Sequence, residues 1–442
     1  MTRIKLAIVA FPLALLATWI LSVGSNLTTA DSHALGVAFT QITGILSIGM
    51  MAFGNLLAIR PTWLEPLFDG LDKMYRLHKW LGIGGLSVGV IHWLTATGDG
   101  HRPPAAATTD AVATAADAAT TSQGWMSALQ GPAHGIAQPA LWILFALVAV
   151  ALIGKIPYKL FAKTHILVVA VFLALAFHSI VLMQAAYWST PIGWLNAALI
   201  AIGSLAALIS LARYLGAGRR ARGEVLSATY FPELHVVEAE LRVNGTWAGH
   251  QPGQFAFVTT DWKEGAHPFT IATHWNPQDR RIGFIAKELG DHTARLRDHF
   301  DKGRSVTLEG PYGQFTFDSP KSRQIWVGGG IGITPFVAKM RQLAVTPGDK
   351  QIDLFHSTTD VSELALEKMR ADAASAGVTL HILVSPRDGH LTAARIMENV
   401  PDWKNASLWF CGPTGFGASL RKDLTAAGLP AREFHQELFE MR

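Results

Sequence analysis

The chain changes character near its midpoint. Up to about residue 213 it is a series of long apolar stretches, roughly 6–23, 35–58, 77–97, 138–154, 164–186 and 192–212. Each is long enough for a helix to cross a bilayer, and charged residues fall almost wholly between the stretches. From about 223 to 318 the pattern shortens to strand-length runs separated by turns, which predicts a small antiparallel β-barrel. From about 323 to 442 strand and helix patterns alternate, the signature of a parallel α/β sheet. The predicted architecture is multidomain: a six-helix transmembrane bundle over 1–216, an antiparallel β-barrel over 223–318 and an α/β parallel-sheet domain over 322–442.

Composition sharpens this picture. Half of the 442 residues are hydrophobic and 16% are charged, which excludes a disordered chain. The single cysteine, Cys411, excludes a disulfide scaffold. Residues 1–213 hold only 18 of the 70 Asp, Glu, Lys and Arg. Basic residues also alternate between the two sides of the spans. Arg3 and Lys5, then Arg60, Lys73, Arg76 and Lys79, then Lys155, Lys159 and Lys163, then Arg213, Arg219, Arg220 and Arg222 fall on one side, and Arg102 alone on the other. The positive-inside rule then puts both termini in the cytoplasm, as expected for a multi-pass protein of the cell's inner (plasma) membrane. That belt accounts for the net charge of +4 without a nucleic-acid partner. Residues 1–30 also fit a signal peptide, but the length of the span and the lack of an A-x-A site favour a retained helix. The Ala- and Thr-rich stretch 99–137 is predicted as an outer low-complexity connection. His33, His101 and His134 fall on that side, as solvated loop residues or as ligands of an extracellular metal ion.

Four histidines lie inside apolar spans, where ionisable groups are costly and functional by default. His78 and His92 are 14 apart in the third span, and His165 and His178 are 13 apart in the fifth. At 1.5 Å per residue each pair is separated by roughly 20 Å along its helix. Both spans run in the same direction, so His78 shares a level with His165, and His92 with His178. Two opposed imidazoles at each of two levels suit two bis-histidine haems stacked across the bilayer. Gly82, Gly84, Gly85, Ser87 and Gly89 lie between the third-span pair and would let flat macrocycles approach the backbone. A step of 14 leaves two side chains about 40° apart around an ideal helix, but a step of 13 leaves them about 140° apart. The fifth span is therefore expected to be locally distorted, or its two haems are approached from different sides. A proton path or metal channel is the competing use of the same residues.

The polar half carries further motifs. His267-Pro268-Phe269-Thr270 precedes Ile271-Ala272-Thr273. Ile285 to Thr293, containing Lys287, Gly290 and Thr293, enters an expected helix running through Leu296, and its basic side chain and backbone NH groups suit a diphosphate. Gly310-Pro311-Tyr312-Gly313 is expected as a turn closing the barrel. The apolar strand Ile325-Trp326-Val327 runs into Gly328-Gly329-Gly330-Ile331-Gly332-Ile333-Thr334-Pro335. Those glycines would admit a diphosphate to the backbone, with Thr334 as the N-cap of the next helix and Pro335 at its first position. A second strand end reads Leu408 to Pro413 and includes Cys411 and Gly412.

Together these residues resemble the ferric reductase and NADPH oxidase superfamily, in which a six-helix haem domain is joined to a ferredoxin-reductase-like dehydrogenase. The resemblance covers nearly the whole chain apart from the long outer loop. It implies two haem b groups on His78, His92, His165 and His178, with FAD and NADPH (or NADH) as further cofactors. It implies that His267, Pro268, Phe269 and Thr270 bind the flavin, with Thr270 beside the isoalloxazine. Lys287, Gly290 and Thr293 match the segment holding the FAD diphosphate. Gly328, Gly329, Gly330, Gly332, Thr334 and Pro335 match the NAD(P)H loop, and Cys411, Gly412 and Pro413 the nicotinamide-side motif. The ending, Phe434 to Arg442, resembles family tails whose last aromatic covers the flavin, a role that falls on Phe439. Thr270, Cys411, Glu437 and Phe439 are the implied catalytic set. Ala96 stands where animal oxidases carry a further histidine, and no arginine opens the second span, which argues against a dedicated superoxide pocket.

The expected function is transmembrane electron transfer from NAD(P)H through FAD and two haems to an acceptor on the outer face. Ferric iron and dioxygen, giving superoxide, lead among acceptors, with a quinone or an extracytoplasmic protein as alternatives. The non-enzyme alternative is a proton or metal conduit. The coenzyme choice leans to NADPH. His356-Ser357-Thr358-Thr359 follows the second strand of the α/β domain without an arginine, and Arg387 at the next strand exit is the candidate cation for a 2′-phosphate.

Overall fold

The computed structural model describes residues 2–28, 30–98, 124–154, 156, 158–212, 215–261, 265–288 and 300–437. These form two compact units, one made of Met1–Phe68 with Lys73–Leu215 and the other of Asp69–Asp72 with Gly216–Met441.

The first unit is helical. Its elements are α1 (Thr2–Leu27), α2 (Ser32–Ala58), α3 (Leu71–Gly98), α4 (Gly124–Leu152), the short α5 (Tyr158–His165), α6 (Leu167–Leu182) and α7 (Pro191–Leu211). Among the described residues, six helical stretches are long and apolar enough to cross a membrane, the fifth made of α5 and α6 together. The Asp31 carboxylate caps α2 by accepting from the Ala34 N–H at 2.8 Å. Pro191 opens α7, where its missing N–H costs nothing. Helix α4 starts well before residue 138 and passes through Pro132 and Pro139. The stretch up to residue 137 has little apolar periodicity and reads as a connection in the sequence, yet a bilayer gives no water to a broken backbone and favours an uninterrupted helix. Helices α2 and α7 approach closely, because a methyl group on Gly203 would lie 2.8 Å from the Ala52 Cα. Among the described residues, 25 of the 27 exposed large apolar side chains lie before residue 212, the pattern of a lipid-facing surface.

The second unit holds two sheets. Strands β1 (Arg220–Phe231), β2 (Val236–Asn244), β3 (Phe255–Thr259), β4 (His267–Thr270), β5 (Arg281–Lys287) and β6 (Ser305–Tyr312) form an antiparallel sheet in the order β4-β3-β6-β1-β2-β5. Alternate residues of β1 and β2 point into a core that includes Val225, Leu241, Ile282 and Phe284. The ladder is open: its edge strands meet through one isolated bridge, Ile271 to Phe284. Gly310, Pro311 and Tyr312 lie within β6 rather than in a turn. A register shift between Phe255 and Phe257 on β3 accommodates them, the kind of bulge that tolerates a proline.

The remaining strands, β7 (Arg323–Gly329), β8 (Gln351–Thr358), β9 (Thr379–Val384), β10 (Ser407–Cys411) and β11 (Phe434–Gln436), form a parallel sheet in the order β11-β10-β7-β8-β9. Helices α8 (Thr334–Val345), α9 (Glu363–Ala376), α10 (Ser385–Asp388), α11 (Ala393–Asn399) and α12 (Thr414–Ala426) connect them. Strand β7 has neighbours reached from opposite directions along the chain, so the carboxyl ends of β7 and β10 frame a topological switch point.

Candidate functional site

In the helical unit, α3 and the α5–α6 stretch bring the four histidines together as two pairs. The ring centroids of His78 and His165 are 5.9 Å apart, and those of His92 and His178 are 6.2 Å apart. Two metal–nitrogen bonds of about 2 Å each, plus the half-widths of two rings, span about 6 Å, so each pair fits a metal held between its imidazoles. Backbone carbonyls fix three of the rings. The Nδ1–H groups of His78, His92 and His178 donate to Gly54, Thr40 and Ala133 at 2.8, 2.9 and 2.9 Å. That leaves Nε2 of each with a lone pair available to a ligand. Nδ1 of His165 is buried without a hydrogen-bond partner, and its ring stacks on Phe161 at 5.1 Å.

The distortion expected of the fifth span is present. Helix α5 ends at His165 and α6 begins at Leu167, so the break falls directly after the first ligand candidate. His165 pairs with His78 and His178 with His92 on the one helix α3, despite the step of 13 between His165 and His178. On α2 the two acceptors, Thr40 and Gly54, are 14 apart, as are their partners on α3, as two antiparallel helices in register require.

One glycine on α2, Gly44, makes room for the His92 ring. A methyl group on Gly44 would lie 3.1 Å from His92 Cε1, and one on Gly54 would lie 3.6 Å from His78 Nδ1. Sequence reasoning passed over both, although glycine inside a helix was the available signal. The α3 glycines divide differently from expectation. Gly84, Gly85 and Gly89 pack on Met50, Met51 and Ser47 of α2 and so serve helix contact, whereas Ser87 donates to Ile83 of its own helix. Gly82 has open space beside it. His134 donates to Gln130 of its own helix at 2.9 Å, and His101 lies outside the described residues.

In the second unit the structure draws several separate motifs together. Cys411 pairs with Gly328 across β10 and β7. A methyl group on Gly329 would lie 2.9 Å from Pro413 Cδ, and one on Gly332 would collide with the Cys411 carbonyl. Those glycines let the two loops pack backbone to backbone. Gly330 has φ +54° and nothing beside it, so it is the position of the loop open to a ligand. Thr334 does not cap the helix. A 3₁₀ turn over Gly330–Ile333 runs straight into α8, and the Thr334 hydroxyl donates back to Ile331 at 2.8 Å. Pro335 accordingly stands at the second helical position.

Thr270 is buried and pairs with Phe255, whose ring lies 3.3 Å from where a methyl on Gly313 would sit; that same methyl would be 3.5 Å from Glu437 Oε1. The Glu437 N–H donates to Phe410, beside Cys411. Thr270, Glu437 and Cys411 thus belong to one neighbourhood. Burial pushes the Cys411 thiol well up, and the Glu437 carboxylate adds to the rise. His267 and Phe269 are half-buried and Pro268 is exposed on β4, where Phe269 packs on Phe284 at 6.2 Å. Gly290, Thr293 and Phe439 lie outside the described residues, as does the expected helix through Leu296.

Lys287 and Gly330 line a cleft of about 110 Å³ between the two sheets, with Ile285, Ile333, His356 and Asp360. Lys287 Nζ donates to Asp360 Oδ2 at 2.7 Å, and this bond holds the Asp360 carboxyl below its usual range. Burial lowers His356 to about 4, so it is neutral at physiological pH, and its Nδ1 has no hydrogen-bond partner. Arg387 donates twice to Asp388 at 2.9 and 3.0 Å.

Comparison with known proteins agrees with this geometry. Residues 43–176 match the ferric reductase like transmembrane component family, and residues 224–316 match an FAD-binding domain family. The chain is 23% identical over 201 residues to a flavohemoprotein of Burkholderia sp. (strain TH2), covering 42% of this chain and 51% of that one. It is 26% identical over 243 residues to an NADPH oxidoreductase of Mycobacterium tuberculosis, covering 52% and 63%. It is 30% identical over 135 residues to ferric reduction oxidase 5 of Arabidopsis thaliana, covering 30% and 19%. The chain spans about half the length of the first curated relatives it matches. With six candidate spans among the described residues, a ferric-reductase-like component over 43–176 and an FAD-binding domain over 224–316, this multi-pass membrane protein fits the ferric reductase and NADPH oxidase superfamily.

Proposed function

We propose that the chain is an NAD(P)H-dependent transmembrane oxidoreductase that moves electrons from cytoplasmic NAD(P)H, by way of FAD and two b-type haems, to an acceptor on the outer face. The observation that carries this reading is the duplicated imidazole pair, His78 with His165 and His92 with His178, in one chain with an FAD-binding domain. Under this reading three domains divide the labour: 1–216 for the haems, 223–318 for FAD and 322–442 for NAD(P)H. The alternation of basic residues supports cytoplasmic termini and a plasma-membrane location.

Each residue's part follows from its surroundings. The open backbone at Gly330 and the N-terminus of α8 receive the coenzyme's diphosphate. Thr270 lies beside the flavin ring, and Cys411 and Glu437 face the nicotinamide. Kept protonated by burial, the Cys411 thiol offers a small neutral surface to a departing hydride. Lys287 meets the flavin diphosphate. Bound FAD would supply the two-electron to one-electron conversion that haem requires. The carbonyls behind His78, His92 and His178 hold those rings in the tautomer that presents Nε2 to iron. Bound haem would supply a one-electron couple at each level. With His78 and His165 holding one bound haem and His92 and His178 the other, each iron would have two protein ligands, which suits electron transfer to an acceptor that does not bind iron.

Among the described residues no three metal-ligating side chains converge. Pairs of two suit a macrocycle that brings its own equatorial nitrogens, and a conduit has no use for an FAD-binding domain. Ferric iron and dioxygen are the leading acceptors, and NADPH is the expected coenzyme, with Arg387 as the candidate 2′-phosphate ligand. The test is an acceptor survey: NADPH and NADH oxidation with ferric citrate, dioxygen or a quinone, with and without superoxide dismutase. Acceptor-dependent oxidation sustained by the haem-loaded protein is expected. Oxidation unaffected by every outer acceptor would contradict the reading.

A further inference from the structure

The coenzyme loop and the flavin strand belong to different sheets, yet one side chain ties them together. Arg341 lies on α8, seven residues beyond Thr334, or about 10 Å along the helix from the end of the glycine loop. All three guanidinium nitrogens are engaged. Nη1 donates to the Ala272 carbonyl at 3.1 Å, Nη2 to Glu238 Oε1 at 2.9 Å and Nε to Asp372 Oδ2 at 3.4 Å. Ala272 is two residues past Thr270, and its own N–H donates to Gly283 on β5 at 2.8 Å, which fixes that carbonyl in the antiparallel sheet. Glu238 comes from β2 of the same sheet, and its second oxygen accepts from Lys368 of α9 at 2.9 Å. Asp372 comes from α9.

Ion pairs of this partly exposed kind contribute little to stability. Their value here is directional. A planar fork that satisfies three acceptors on three elements permits only one orientation of α8 against the flavin strand. A lysine offers a point charge and no such constraint.

We propose that Arg341 is the positioning residue that sets the coenzyme's nicotinamide against the flavin. In the step concerned, the C4–H bond of NAD(P)H breaks, and hydrogen and electron pair pass together to flavin N5, leaving oxidised nicotinamide. Arg341 lines the same cleft as Lys287 and Gly330, but its three guanidinium nitrogens are committed to Ala272, Glu238 and Asp372. It holds the loop that binds one against the strand that binds the other. The inference rests on the proposed hydride transfer from NAD(P)H to FAD.

The test compares full-length protein in lipid nanodiscs, loaded with FAD, as wild type, Arg341→Met and Arg341→Lys. Flavin content, thermal midpoint, coenzyme affinity, the anaerobic flavin reduction rate and its isotope effect with 4-deuterated NADPH are measured, together with nicotinamide–flavin charge-transfer absorbance. We expect flavin content, thermal midpoint and coenzyme affinity to hold in Arg341→Met. Flavin reduction should fall by about a hundredfold, the cost of roughly an ångström of misplacement, and the charge-transfer absorbance should be lost. Arg341→Lys should recover little. Wild-type reduction in Arg341→Met, or a loss explained wholly by released flavin or weaker coenzyme binding, would overturn the proposal. If Arg341→Met fails to fold, Glu238→Gln and Asp372→Asn carry the same expectation to a smaller degree, and wild-type rates in both would overturn it. Failure of the wild type itself to reduce its flavin with either coenzyme would count against the functional reading instead.

Discussion

Nδ1 of His78 lies 2.8 Å from the carbonyl oxygen of Gly54, and that bond decides which face of the ring is chemically available. A carbonyl can only accept, so Nδ1 carries the proton and Nε2 keeps its lone pair. His92 and His178 repeat the arrangement at Thr40 and Ala133. In an apolar span, three donors satisfied in this way make ready ligands rather than chance core histidines.

The first consequence concerns the order of transfer. His92→Leu removes one ligand of the pair with His178 and leaves the pair with His165 intact. We expect flavin reduction by NAD(P)H at the wild-type rate, with reduction of the outer acceptor abolished. Stopped-flow absorbance of flavin and haem, followed by an acceptor assay, checks both halves. Survival of acceptor reduction would show that electrons do not pass through that pair.

Gly44 offers a gentler perturbation. Its missing side chain leaves room for the His92 ring, whose Cε1 would lie 3.1 Å from an added methyl. Gly44→Val should tilt that ring and lower haem occupancy at that level to well below that of the other. Haem-to-flavin ratio by absorbance measures the loss, and unchanged NAD(P)H-to-flavin transfer shows that the second unit is untouched.

Lys287 and Asp360 make a prediction about flavin affinity. The ammonium that should meet the flavin diphosphate is bonded to Asp360 at 2.7 Å. Asp360→Asn removes a competing anion and should tighten FAD binding, while Lys287→Gln should weaken it. Titration of flavin into the apoprotein, read by flavin fluorescence, distinguishes the two directions.

The pH dependence of stability follows from a buried imidazole. His250 donates through Nε2 to Thr273 at 3.0 Å, and burial lowers it to about 4. Between its ordinary value of about 6.5 and about 4, the unfolded chain binds a proton that the folded chain refuses, so stability falls as pH falls through that window. The loss is on the order of 3 kcal/mol when complete. His356, also lowered to about 4, adds in the same direction. His250→Gln keeps a donor for Thr273 and does not titrate. It should flatten the drop in thermal midpoint between about pH 7.5 and about pH 5.5.

Much of this was legible in the sequence because it depends on periodicity and on costly residues in unusual places. The six spans, the alternation of basic residues and the four intramembrane histidines are of that kind. The step of 13 between His165 and His178 even foretold the break that occurs at Ile166. The carbonyls of Thr40, Gly54 and Ala133 were not legible, because a backbone acceptor has no sequence signature. Pairings between distant segments, such as Lys287 with Asp360 or Arg341 with Ala272, depend on tertiary approach and were equally hidden. Alternation predicted the antiparallel strands, but the closed barrel expected with them is not found, since alternating runs look the same in an open sheet and a barrel. Thr334 had the right residue type for a cap, and the 3₁₀ turn before it removed the need.

The central claim is that two histidine pairs hold two haems in series. A reduced-minus-oxidised absorbance spectrum of the purified protein, with haem and flavin quantified against protein, tests it most directly. The account predicts low-spin b-type bands, two haems for each flavin, and reduction of both by NAD(P)H. A correctly folded, flavin-loaded protein without those bands would contradict it.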